Sequence, residues 1–145
     1  MRINYVTLGD KSLPSVRHRM LIPGRYVGNA FISPVPCEAD IHVFSKPFTQ
    51  DEQAIESMLA LSRTVPYIFD CWDNLFARRG IEQYYTEELI HRAVKVVTAS
   101  EWLVKEIYDR TGKEAVLIQD PLEYPKREIK SLDIIKPFGS ARRQT

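Results

Sequence analysis

Apolar residues in this chain fall in short runs that stop abruptly at polar, acid-bearing positions. The clearest are Tyr67-Ile-Phe-Asp-Cys-Trp-Asp-Asn-Leu-Phe76 and Val94-Lys-Val-Val-Thr-Ala-Ser-Glu-Trp102. A buried parallel strand has this appearance when it delivers side chains to a site at its C-terminal edge. The same pattern predicts four further strands. Ile3 to Leu8 is stopped by Gly9-Asp10, and Asn29 to Val35 is closed by Pro34 and Pro36. Ala39 to Ser45 reads as a third strand, and Tyr67 to Cys71 and Val94 to Thr98 as the fourth and fifth. Ala115 to Ile118 reads as a sixth, ended by Gln119-Asp-Pro121.

Helical signals lie between these runs. Ser15 is placed to cap a helix through Val16–Leu21, although Pro23 and Gly24 predict a kink or two short pieces there. Thr49-Gln-Asp-Glu52 is a capping box, and Ile55, Met58 and Leu59 behind it share one helical face. Thr86-Glu-Glu88 reads as a helix start, with acids at the positive end of the dipole, and that helix ends near Ala93. Ser100 caps the next helix. Leu103, Val104, Ile107 and Tyr108 form its apolar stripe, and Gly112 suits the residue after its last turn. Strands and helices alternate, with one strand pair lacking an obvious helix between its members. Such an order predicts an α/β fold: a Rossmann-like, doubly wound, mostly parallel sheet with helices on both faces.

Length and composition bound the rest. The chain has 145 residues, 44% hydrophobic and 27% charged, which suits one globular domain. The organisation predicted is a domain over residues 1–121, a charged, proline-bearing linker over 122–131, and a final segment over 132–145. Leu132-Asp-Ile-Ile-Lys-Pro-Phe-Gly139 within that segment reads as the opening of a missing second domain, or as a tail or edge strand of the same sheet. A net charge of +1 makes no demand for nucleic acid as partner. Cys37 and Cys71 are far apart in sequence, and Cys71, within an apparent core strand, reads as a buried reduced thiol. No N-terminal apolar leader is evident, and no apolar run approaches the roughly 18 residues needed to cross a bilayer. The expected location is the cytoplasm, with the membrane surface as a variant.

Several of these stretches occur together in one enzyme class. Ser15-Val-Arg-His-Arg-Met-Leu-Ile-Pro23, Phe69-Asp-Cys-Trp-Asp73, Val97-Thr-Ala-Ser-Glu-Trp102, Thr111-Gly112 and Ile118-Gln-Asp-Pro121 follow one another here. In that order the chain resembles the N-terminal, acceptor-side domain of a GT-B fold glycosyltransferase. The resemblance spans Ile3 to Pro121, and Phe138-Gly-Ser-Ala141 resembles the start of that class's C-terminal domain. It implies transfer of a sugar from a nucleotide-sugar donor to an acceptor hydroxyl, without a metal or other cofactor. It also implies a sugar or glycan acceptor on this domain, the nucleotide-sugar on a second domain, and an isolated chain that is inactive. Peripheral membrane association and a homodimer are both compatible with it. The alternative is a non-catalytic Rossmann-like binding or assembly module that has lost its donor half. A flavodoxin-like receiver or cofactor domain is a weaker third reading. It is disfavoured because the loop after the first strand carries neither an acidic pair nor a phosphate-cradling glycine run.

Sugar transfer needs a base near the acceptor hydroxyl, positive charge for the departing diphosphate, and a dry cleft. Asp70 and Asp73 are the candidate catalytic acids, since both close the fourth strand. Each serves equally well as a cap for the following loop. Arg17 and Arg19 follow the first strand and suit phosphate, and their spacing allows only one to point inward. Ser100 and Glu101 sit at a strand-to-helix junction on the same rim, where capping and the helix dipole also explain them. Trp72 and Trp102 are candidates for stacking on sugar faces, or for ordinary packing. His18, His42 and His91 have no mutual spacing that suggests a metal or a triad, and no Gly-x-Gly-x-x-Gly occurs.

Overall fold

The structure is a computed structural model that describes residues 1–8, 16–33, 38–45, 52–77 and 81–119. Ser15, Cys37, the Thr49-Gln-Asp51 part of the capping box, the linker and the Leu132–Gly139 run lie outside the described residues.

The predicted sheet is present. Its strands are β1 (Ile3–Val6), β2 (Ala30–Ser33), β3 (Ile41–Ser45), β4 (Tyr67–Asp70), β5 (Lys95–Thr98) and β6 (Ala115–Leu117). They form one six-stranded sheet in the order β2-β1-β3-β4-β5-β6. Every pairing is parallel. The order reverses between β1 and β3, so a topological switch point falls at their C-terminal ends. This order follows the flavodoxin-type arrangement of doubly wound sheets, lengthened by one strand at the far edge.

The helices are α1 (Ile22–Val27), α2 (Glu52–Ser62), α3 (Ile81–Arg92) and α4 (Glu101–Thr111). A π-helical turn, Arg17–Leu21, runs into α1. Strand alternation divides the core between two faces. Val6, Phe44, Tyr67, Phe69 and Val96 point to one face, where they pack with Met58 and Leu59 of α2, Leu89 and Ile90 of α3 and Ile107 of α4. Tyr67 stacks on Phe44 with ring centroids 4.3 Å apart, and its hydroxyl donates to Leu89 O at 2.7 Å. Ile3 and Tyr5 point to the other face, against Val16 and Met20. Among the described residues that second face is covered by the π-helical turn and α1, whereas three longer helices cover the first.

The region around Pro23 and Gly24 forms two short pieces, as expected. The Pro23-Gly24 break is a change of helix type: the wide turn ends at Leu21 and Pro23 sits in the first α-helical turn. Proline is tolerated there because its missing N–H would have no intrahelical partner. Gly28 then closes α1 with φ of 79°, its N–H donating to Gly24 O at 3.1 Å. One helix boundary differs from expectation: Thr86 does not start a helix. It lies inside α3, fully buried, with its hydroxyl donating to Glu82 O at 2.8 Å. Burial of Tyr85 against the sheet carries the helix back to Ile81, and Glu82 supplies the first-turn acid. A 3₁₀ turn, Leu75–Ala77, also forms after β4 and buries Leu75 and Phe76.

The ends of α4 are as expected from local sequence. Ser100 has extended backbone and accepts a hydrogen bond from Leu103 N at 3.2 Å. Gly112 follows at φ 68°, a left-handed conformation that suits glycine. Ser100→Ala is expected to cost about 0.5–2 kcal/mol, as typical N-cap losses do. Urea unfolding of the variant against wild type reads this directly, and an unchanged midpoint would show the cap to be idle.

One buried group predicts an acid-sensitive limb of stability. His42 on β3 is 7% exposed and its Nδ1 has no hydrogen-bond partner. Burial holds its pKa below the usual 6.5. The unfolded chain therefore takes up a proton near pH 6.5 that the folded chain resists. Stability is full above that pH and falls as pH drops below it, by at most about 1.4 kcal/mol per pH unit from one such group. Chemical denaturation between pH 5 and 7.5 should show this slope in wild type and lose it in His42→Asn. Glu88 and Asp40 have pKa values lowered below 4.5 and 3.8, so they act in a more acidic window.

Candidate functional site

The C-terminal ends of β3 and β4 meet the π-helical turn in one buried cluster. Register pairs Ser45 with Asp70 across β3 and β4. Alternation turns Asp70 toward the face covered by the π-helical turn, while Cys71 beside it joins the opposite core. Arg19 reaches down from the turn and grips Asp70 with two nitrogens. Its Nε lies 2.8 Å from Oδ2 and 3.1 Å from Oδ1, and its Nη2 also donates to Oδ1. Ser45 Oγ donates to Oδ2 at 3.0 Å. The Arg19 and Asp70 side chains are only 8% and 6% exposed. A carboxylate has about four lone-pair positions, and three hydrogens meet this one: the Arg19 Nε–H shared between both oxygens, an Nη2–H on Oδ1 and the Ser45 hydroxyl on Oδ2. Asp70 is therefore a closely held counter-ion, tying together segments far apart in sequence.

A cavity of about 250 Å³ opens beside this pair. Its walls are Val43, Ile68, Val97 and Ile118 from the sheet and Pro23 from α1, with Tyr5, His18, Arg19 and Asp70 at its polar end. Burial raises the pKa of the Tyr5 phenol, and the Asp70 charge adds to this. Tyr5 is thus a neutral hydroxyl at any ordinary pH.

The remaining candidates are dispersed. Asp73 is half-buried on the bend after β4. Its backbone oxygen accepts from Leu75 N at 2.8 Å and from Cys71 Sγ at 3.8 Å. Its carboxylate makes no hydrogen bond or ion pair with another described residue. Ser100 uses its oxygen as the cap of α4, and Glu101 is exposed in the first turn of that helix. Trp72 is half-buried and Trp102 is 53% exposed, and neither lines the cavity. Arg17 lies in the π-helical turn, but its side chain is outside the described set. Arg19 faces the strand ends.

Cys71 behaves as a buried structural thiol. Burial first, and then the Asp70 and Asp73 charges, push its pKa up to about 12. The thiolate needed for nucleophilic chemistry does not form there near neutral pH. Among the described residues there is no cluster of His, Cys, Asp and Glu able to hold a metal, and no helix long and apolar enough to cross a membrane.

Sequence reasoning missed Ser45 and the aliphatic wall. A signal for Ser45 existed: a hydroxyl closing an apolar strand, on the same face as Val43 by alternation. Nothing local linked it to Asp70, which requires the parallel register of β3 and β4.

Fold and geometry together define a Rossmann-like α/β domain with a ligand-sized cavity on the sheet face that reaches the C-terminal end of β4. Comparison with protein-family models, with curated proteins and with solved structures returns no match.

Proposed function

We propose that this chain forms the acceptor side of a GT-B type glycosyltransferase, placing an acceptor hydroxyl for attack on a nucleotide-sugar held by a second domain. The observation that carries the reading is the cavity on the sheet face that reaches the C-terminal end of β4 at Asp70, with the Arg19–Asp70 pair, braced by Ser45, as its fixed polar wall. In this reading Asp70 positions and does not take the proton, because Arg19 and Ser45 already hold both of its oxygens. Asp73, on the bend after β4 and with no bond from its carboxylate to another described residue, is the base that draws the proton from the acceptor hydroxyl. Arg19 holds the wall in place, since its guanidinium is neutralised by Asp70. The wider resemblance in sequence order supports the same reading. Metal and other cofactors have no part in it.

A second reading is favoured by that closely held carboxylate: a non-catalytic module that binds its ligand beside a structural ion pair. The two separate in a screen of nucleoside-diphosphate sugars and sugar acceptors, run on this chain and on the longest product of its reading frame. Sugar transfer, followed by mass spectrometry, supports the enzyme. Thermal stabilisation by acceptors in every form, with transfer in none, supports the binding module and ends the enzymatic proposal.

A further inference from the structure

The wall of the cavity restricts what can enter it. Across the sheet, Tyr5, Val43, Ile68 and Lys95 stand in one row, and Ser45, Asp70, Val97 and Val116 in the next. The polar part of the second row ends at Asp70, and from Val97 outward the row is aliphatic. Ile118 continues this surface, being two residues beyond Val116 and therefore on the same face. Val116 and Ile118 are 48% and 52% exposed, so an apolar strip leads from the cavity to the edge strand β6. Pro23 faces the strip from α1.

Sugar rings favour aromatic faces and ready hydrogen-bonding partners. The cavity's polar groups, Tyr5, His18, Arg19 and Asp70, gather at one end, and the carboxylate there is already engaged by Arg19 and Ser45. Sugar hydroxyls seated away from that end, against Val43, Ile68, Val97 and Ile118, would lose water without replacement. An aliphatic chain loses nothing on entering and covers the wall. The volume, about 250 Å³, equals the liquid share of about eight waters at ~30 Å³ each, the scale of a short alkyl chain.

We propose that the cavity receives the aliphatic part of an amphiphilic glycoside, whose sugar head rests at the polar end near Arg19 and Asp70. The assignment of a sugar head rests on the acceptor-side reading above; the demand for an aliphatic body rests on the wall alone. For the proposed enzyme the acceptor is then a lipid-like glycoside rather than a free glycan.

Octyl β-glucoside below its micellar concentration and methyl β-glucoside are suitable probes, with binding followed by calorimetry and by chemical-shift changes. Burying about half of the octyl chain predicts affinity about 100-fold above the methyl glycoside. Ile118→Gln changes an exposed residue and should keep the wild-type melting temperature; Val97→Thr preserves shape but adds a hydroxyl at a half-buried position, so its binding is measured well below its own melting transition. Each should weaken octyl glucoside binding about tenfold and leave methyl glucoside unaffected. Equal affinity for the two glycosides, or octyl binding unmoved in both variants, overturns the proposal. Octyl binding without transfer in the sugar-transfer screen upholds the cavity's ligand class and counts against the enzyme alone. Transfer that proceeds equally well on methyl glucoside does the reverse.

Discussion

Asp70→Asn is expected to destabilise the domain by about 3–5 kcal/mol, the usual result of removing one partner from a buried ion pair. The Arg19 and Asp70 side chains are 8% and 6% exposed, so water cannot replace the lost charge. The Arg19 guanidinium would remain buried with a neutral amide opposite it. Such a loss is a large share of the 5–15 kcal/mol by which ordinary domains are stable. The cost belongs to the orphaned charge more than to the pair, which gives a second measurement. Arg19→Met with Asp70→Leu should recover most of the stability lost by either single change, because well-packed apolar replacements of buried pairs are often neutral. Equilibrium denaturation of the four proteins forms a double-mutant cycle. A wild-type midpoint for Asp70→Asn would show that the lock does not hold the fold. The expected result has a practical consequence: activity lost in an Asp70 variant is no evidence of catalysis unless stability is shown to be intact.

Asp73→Asn should show the opposite signature. The bend after β4 is built from backbone and from its neighbour: Asp73 O accepts from Leu75 N, and Asn74 Oδ1 accepts from Ala77 N at 3.2 Å. Neither contact uses the Asp73 carboxylate. The variant should therefore unfold within about 0.5 kcal/mol of wild type, as surface changes usually do. If the carboxylate is the base of the proposed transfer, kcat in the donor-completed enzyme should fall by roughly 10²–10⁴-fold. Loss in kcat with little change in acceptor KM would place the effect in the transition state. Unchanged kcat would remove Asp73 from the chemistry and leave the binding-module reading in possession of the site.

The two aspartates show where sequence reasoning reached and where it stopped. Both were legible as rim acids, because an apolar strand ending in acid is a local pattern. Their division of labour was not legible. Asp70 lies 51 residues from Arg19 and 25 from Ser45, and only the packing of the π-helical turn over β3 and β4 brings the three together. Ser100 and Gly112 could be read as the two ends of α4 because capping involves neighbours within a turn. Thr86 misled for the complementary reason. Its local chemistry suits a helix start, yet burial of Tyr85 and Leu89 against the sheet extends the helix through it. The tryptophans were singled out by residue type, and their positions away from the cavity depend on where the strand ends and α4 diverge.

By itself, then, the order of residues determined the six extended segments, the alternation of their faces and the caps of α4, since each depends on chain neighbours and on period-two burial. Tertiary structure decided that Arg19 turns inward, which aspartate is held in an ion pair, and that the cavity wall is aliphatic. Those outcomes depend on parallel register and on one helical turn crossing the sheet. Their energies come from desolvating groups that meet only when distant parts of the chain pack together.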